Sequence, residues 1–303
     1  MPAPTTTPTP AGTLPAPGPA GDDPQAPIVV GADGSDCGLR AVRWASEEAV
    51  RRGAPLRIVH ATPHHGRRGV AGTPATELPR ARGATAQAYT VARHTAPSVA
   101  VSTELVPGEP VSALLRAAED AQLVVLGITT TGAADELVLA SVAQRVAARS
   151  PRPVVVVPRS RPGGTGSRPH VAVLGLGEPE DDEPVAAFAA EEALRSGQPL
   201  LVLHTRSDDG GEWGADSGRW AERWPELRLS HTPVPGPTGG RVLAAACPTP
   251  LLSMSAGHGG LLHRPMDALH RWLLRHCTSP MAFVPPVHRV TGTEPREEII
   301  AVG

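Results

Sequence analysis

LVVLGITTTGAADELVLASVAQRVAARSPRPVVVVP, residues Leu123–Pro158, opens on an apolar strand, Leu123–Gly127, and closes on another, Pro153–Pro158. Between them lie a loop of Gly, Thr and Ala and a helical stretch, Leu137–Arg149. Strands that are apolar on both faces and separated by helices build a parallel sheet covered on both sides. The stretch lines up without a gap with Pro250–Pro285, PLLSMSAGHGGLLHRPMDALHRWLLRHCTSPMAFVP, and Pro153 falls on Pro280. Two copies of one α/β unit argue for the fold more strongly than either alone.

The pattern extends upstream of the first copy. Ile28–Ala32 and Leu56–Ala61 are strands, and Val99–Leu105 alternates apolar with polar residues. Asp36–Arg52 is a helix with a broad apolar face of Leu39, Val42, Trp44, Ala45 and Val50. Thr76–Thr95 and Pro110–Asp120 complete the helices. In the second half Pro199–Arg206 (PLLVLHTR) repeats Pro55–Thr62 (PLRIVHAT), so that His60 falls on His204. Glu47–Glu48 likewise falls on Glu191–Glu192. The middle of the second copy, Gly- and Trp-rich over Asp208–Trp224, is shorter.

The expected organisation is therefore a disordered Pro-rich tail (1–26), a first domain (27–158), a linker (159–169), a second, diverged domain (170–286) and a terminal tail (287–303). A chain of 303 residues suits about two domains. With 28 basic and 30 acidic residues the net charge is -2, so no overall positive field points to nucleic acid or an anionic membrane. All the basic residues are Arg; without Lys there is no P-loop lysine and no Schiff base. Cys37, Cys247 and Cys277 form no CxxC pair and no disulfide framework. The first residues lack the basic start and apolar core of a signal peptide, and no apolar run reaches membrane-spanning length. The expected location is the cytoplasm.

Chemistry points to two loops beyond the strand ends, Gly31-Ala32-Asp33-Gly34-Ser35 and Gly127 through Ser141. Ligands of open parallel sheets sit there, where the strand order reverses, and Gly-rich turns bring backbone N–H groups to phosphate. Asp33 and Ser35 also suit a plain turn and N-cap for the Asp36 helix.

The runs VVGADGS, WASEEAVRRGAPLRIVHA, VPGEPVSALLRAAEDAQLVVLG and the Gly127–Pro158 block resemble the universal stress protein family over about residues 27–158. Residues 170–285 resemble a diverged copy, as in tandem members of actinobacterial type. The resemblance implies two tandem doubly wound parallel five-stranded sheets of adenine nucleotide alpha hydrolase-like α/β type, order 3-2-1-4-5. It also implies ATP as ligand of some members, bound through a loop G-x-x-G, nine residues, then G-S or G-T. On that pattern the nucleotide would meet Ala32, Asp33, Ser35, Gly127, Thr130, Gly132, Ala140, Ser141 and Val142. Thr130 and Ala140 stand where the pattern has glycine, which removes positive φ and adds a Cβ near the phosphates. In the second copy the gapless alignment puts Met254 on Gly127 and Asp267-Ala268 on the Gly-Ser pair, and Gly177, in GLGEPEDDEP, replaces Asp33. The acidic run Glu178–Glu183 would repel polyphosphate.

The expected function is a stress-response regulatory protein with adenine nucleotide in the first half. Two alternatives stay open: a protein-interaction module without nucleotide, and a nucleotide-hydrolysing or transferring enzyme. No catalytic constellation and no metal site emerges: there is no G-x-S-x-G elbow, and His258, His263, His270 and His276 lack ligand spacing. Cys37 sits at a helix N-terminus, which favours thiolate. The protein partner is unspecified. The last strands, Val154–Val157 and Met281–Val284, would lie at sheet edges, and such apolar edges need cover. Pairing with one another makes an internal pseudo-dimer, with a homodimer of such units left open.

Overall fold

The computed structural model describes residues 25–62, 74–128, 142–158, 170–175, 179–204, 220–234, 236, 238–256 and 268–286. The expected linker (159–169), the terminal tail (287–303) and nearly all of the Pro-rich tail lie outside them.

The first half runs β1 (Ile28–Gly31), α1 (Asp36–Arg52), β2 (Leu56–Thr62), α2 (Pro74–Thr95), β3 (Val101–Pro107), α3 (Pro110–Ala118) and β4 (Leu123–Ile128), then helical residues 142–147 and β5 (Val154–Pro158). The second runs β6 (Val171–Gly175), α4 (Pro179–Ser196), β7 (Leu200–His204), a helical turn at 220–223, β8 (Leu229–Pro233), α5 (Gly239–Ala246), β9 (Leu252–Ser255), α6 (Ala268–His276) and β10 (Met281–Val284). α1 starts at an N-cap, Ser35, and stops at Gly53, whose φ of 64° is the left-handed conformation glycine takes without strain. α3 ends two residues short of the expected Asp120, whose carboxylate instead pairs with Arg57 on β2 at 2.5 Å.

All strands join one ten-stranded sheet, β3-β2-β1-β4-β5-β10-β9-β6-β7-β8. Each half has the expected 3-2-1-4-5 order and is parallel throughout. The halves meet where β5 and β10 pair antiparallel, with Val154 opposite Phe283, Val155 opposite Ala282 and Val156 opposite Met281. The alignment that sets Leu123 on Pro250 sets Val155 on Ala282, so equivalent residues face each other at the pseudo-twofold axis. Both edge strands are polar where they face solvent, at Ser102, Thr103 and Glu104 on β3 and Ser230 and His231 on β8.

Side-chain alternation sends each strand into two apolar layers. One layer takes Ile28, Val30, Val125, Val155 and Ala282 under α1, α2 and α4. The other takes Val29, Val124, Val156, Met281 and Phe283 under α3, residues 142–147, α5 and α6. Both layers cross the β5–β10 seam, so the halves share continuous cores.

The strand register corrects the gapless alignment. Val124 and Leu252 hold equivalent places beside Val154 and Met281, so Leu126, not Gly127, is the counterpart of Met254. Gly127 corresponds to Ser255. The second copy is one residue shorter between these two strands, and a slip of one residue flips every side chain to the other face. By the same reasoning β1 and β6 set Ala32 on Gly175, which moves the counterpart of Asp33 from Gly177 to Leu176.

Candidate functional site

In the first half β1 and β4 are adjacent, and their C-terminal ends open a cleft at the reversal of strand order. About 150 Å³ in volume, it is walled by Val59, Leu114, Leu126, Val142 and Ala143 and bordered by backbone of Gly31, Ala32, Gly38 and Gly127. Asp33 and His60 are its polar groups. A more polar hollow of about 460 Å³ continues past Asp33 and His60 to Glu77, Arg80 and Gln87 on α2.

Asp33 Oδ1 accepts from the Ser35 N–H (2.9 Å) and the Ser35 hydroxyl (2.6 Å). Ser35 Oγ in turn accepts from the Gly38 N–H at 3.1 Å and caps α1. This relay fixes the Asp33 turn while Asp33 stays exposed at the mouth. The second carboxylate oxygen takes no part in it. Ala32 is pinned from both sides: its N–H donates to Val59 O at 2.9 Å, and its carbonyl is 2.6 Å from His60 Nδ1. Facing a carbonyl, Nδ1 is the donor, which leaves Nε2 as the acceptor of the neutral ring.

Gly127 permits the closest approach in the site. A Cβ there would lie 2.3 Å from the Cys37 carbonyl oxygen and 2.9 Å from Gly38 N. Gly31 is similarly confined by Leu126 and Leu114. At the rim Glu109 caps α3 through the Ser112 N–H (3.1 Å) and pairs with Arg145 (3.0 Å). Although burial opposes it, these partners hold the Glu109 carboxyl below its usual range.

Of the sequence-derived site residues, Ala32, Asp33, Gly127 and Val142 meet in this cleft, and Ser35 supports it from beneath Asp33. Thr130, Gly132, Ala140 and Ser141 lie outside the described residues. Sequence reasoning passed over His60, Val59, Gly38, Pro110 and Leu114. The signal for His60 was its recurrence as His204 in the second copy.

A model of the universal stress protein family matches residues 26–158. Universal stress protein Rv2028c of Mycobacterium tuberculosis is 30% identical over 219 residues, covering 69% of this chain and 78% of that protein. The chain belongs to the universal stress protein family. The likeness to its relatives spans both halves: universal stress protein Rv1996 of Mycobacterium tuberculosis is 26% identical over 301 residues, 84% of this chain and 93% of that one. A universal stress protein of Archaeoglobus fulgidus DSM 4304 shares the fold at TM-score 0.67 and 11% identity, covering 87% of this chain and 98% of its own.

The second half of this family member differs at the equivalent place. Ser255 puts a Cβ where Gly127 has none. Met254, like its counterpart Leu126, is buried beneath the sheet. Gly177, Glu178, Gly257–Gly260 and Asp267 lie outside the described residues, while Ala268 begins α6. His270 is buried 6.0 Å from the Phe283 ring, and His276 stacks on Trp272 at 4.1 Å. Among the described residues no group of His, Cys, Asp and Glu is placed to hold a metal, and no helix is long and apolar enough to cross a membrane. Cys37 is buried, with an Arg40 Nη 3.0 Å from its sulfur.

Proposed function

We propose that this member of a stress-response family is a ligand-sensing module whose first half binds an adenine nucleotide, ATP foremost. The observation that carries the reading is the convergence of Gly31-Ala32-Asp33, Gly38 and Gly127 on one cleft at the strand reversal, with apolar walls and two polar groups at the mouth. Apolar walls suit the flat base, and Asp33 and His60 suit ribose hydroxyls. Ligand sites commonly measure about 300–1,000 Å³, so a cleft of about 150 Å³ takes the nucleoside part. The family motif would assign the phosphates to Thr130, Gly132, Ala140 and Ser141, and two of its glycines are replaced, by Thr130 and Ala140, which argues for weaker phosphate binding.

A second reading, an interaction module without nucleotide, has its own support. The Asp33–Ser35–Gly38 relay and the Gly127–Cys37 approach explain these motif residues as structural. Calorimetric titration of the full-length chain with ATP and Mg²⁺ separates the two. Saturable binding of one nucleotide per chain, weakened by Asp33→Ala, is the expected result. No heat and no retention at millimolar ATP would leave the interaction reading.

A further inference from the structure

We propose that Cys247 and Cys277 are a redox pair that closes to an intramolecular disulfide when a hydroperoxide reaches the second half. Cys247 is the C-cap of α5, its N–H on Leu243 O at 2.8 Å. Cys277 follows the last residue of α6, its N–H on Leu273 O at 2.8 Å. The two helices lie on the same face of the sheet and bring the sulfurs to 3.5 Å. A disulfide needs about 2.05 Å, so bond formation asks for a closure of roughly 1.5 Å, within reach of small side-chain rotations. Both thiols are reduced in the structure.

Their surroundings divide the labour. Cys277 is fully buried, and its sulfur lies 3.5 Å from Ser279 O. Hydrogen bonding with Cys247, reinforced by burial, pushes its thiol well above the usual range. Cys247 is only half-buried and meets solvent oxidant first. Its thiolate attacks one peroxide oxygen and breaks the O–O bond. The departing hydroxide takes up the thiol proton and leaves as water, which gives a sulfenic acid; from an organic hydroperoxide the departing alkoxide takes that proton and leaves as the alcohol. Cys277 sulfur then attacks Cys247 sulfur and displaces hydroxide, which leaves as water with the Cys277 proton. Two thiols lose two electrons, and one peroxide is reduced. The link would tie the end of α5 to the residue that leads into β10, four positions before Met281 at the seam between halves.

The test uses the full-length chain under native conditions with a few equivalents of hydrogen peroxide, then denaturation, alkylation and intact mass. Two of three thiols should escape alkylation. After tryptic digestion, peptides 242–271 and 276–289 should appear joined, because Arg264 precedes Pro265 and resists cleavage. Dithiothreitol should reverse the link, and the oxidised chain should melt at a higher temperature than the reduced one. Cys247→Ser should abolish the linked peptides and leave Cys277 alkylatable, whereas Cys37→Ser should leave the link intact. Sulfinic acid at Cys247 without the linked peptides, a disulfide between chains, or three alkylatable thiols after treatment would each overturn the proposal. The linked-peptide result on the unaltered chain needs no variant to fold.

Discussion

At Gly127 the chain has no room for a side chain. A methyl group would press on the Cys37 carbonyl at 2.3 Å, against backbone at the first turn of α1. Gly127→Ala should therefore cost about 1–3 kcal/mol, as overpacking does, read as a lower urea midpoint. Asp33 separates support from recognition. Asp33→Asn keeps an oxygen for the Ser35 N–H and should leave the melting temperature near its parent value. Asp33→Ala removes the relay as well as the charge. If the carboxylate contacts nucleotide, both variants should weaken ATP by about 1–3 kcal/mol in calorimetry, the scale of a charged hydrogen bond. Weakening by Ala alone would assign Asp33 to the turn. At this scale the sequence was legible at Ser35, whose reading as the N-cap of the Asp36 helix the structure bears out. Gly127 was legible as a glycine that matters, but not why, because the Cys37 carbonyl that confines it comes from another element.

Between elements, α1 and α4 share one cation. Arg52 pairs with Glu48 on its own helix at 2.6 Å and reaches Glu192 across the pseudo-twofold. Glu192 is the repeat of Glu48, but the repeat of Arg52 is Ser196, so one guanidinium serves two buried carboxylates. Arg51 supports Glu48, and Arg195 supports both Glu191 and Glu192. Burial pushes the Glu192 carboxyl up to about 7, while Glu48 is held below its usual range against its own burial by Arg52 and Arg51. A folded carboxyl above its unfolded value binds protons that the unfolded chain releases, so Glu192 makes stability fall as pH rises from about 4.5 to about 7. Glu48 acts oppositely, its contribution present above 4.5 and lost as pH falls below it. Glu192→Gln should therefore remove the decline in that window, and its melting temperature relative to the parent should be higher at pH 8 than at pH 5. A parent-minus-variant difference that stays flat from pH 5 to pH 8 would contradict the shared-cation account. The Glu pairs were visible as a repeat in the sequence; their meeting was not, since it follows from how α1 and α4 cross the seam. The one-residue slip in β9 was hidden for a related reason. A gapless alignment of PLLSMS on LVVLGI reads well in either register, and only pairing with β6 and β10 chooses.

Over the whole molecule, two repeats become one ten-stranded sheet because each ends on an apolar strand that needs a partner. Four valines between prolines and the repeated MAFV made this seam legible from the sequence, and the structure pairs them antiparallel. Val155 is fully buried at the axis opposite Ala282. Val155→Arg would bury an unpaired cation and should destabilise by about 3–5 kcal/mol or open the seam, seen as aggregation or as new proteolytic cuts within both halves. Unchanged solubility and an unchanged digest would show that the seam does not hold the halves together. The differences between the halves were visible in the sequence, but which residue of one half answers which of the other needed the strand register. The central claim concerns nucleotide in the first half, and hydrogen–deuterium exchange of the full-length chain with and without saturating ATP and Mg²⁺ tests it most directly. The expected result is added protection in peptides spanning Gly31–Gly38, Val59–Thr62, Pro110–Leu114 and Leu126–Ile128, with none in Val171–Gly175 or Leu252–Ser255. No protection anywhere, or equal protection at β6 and β9, would contradict it.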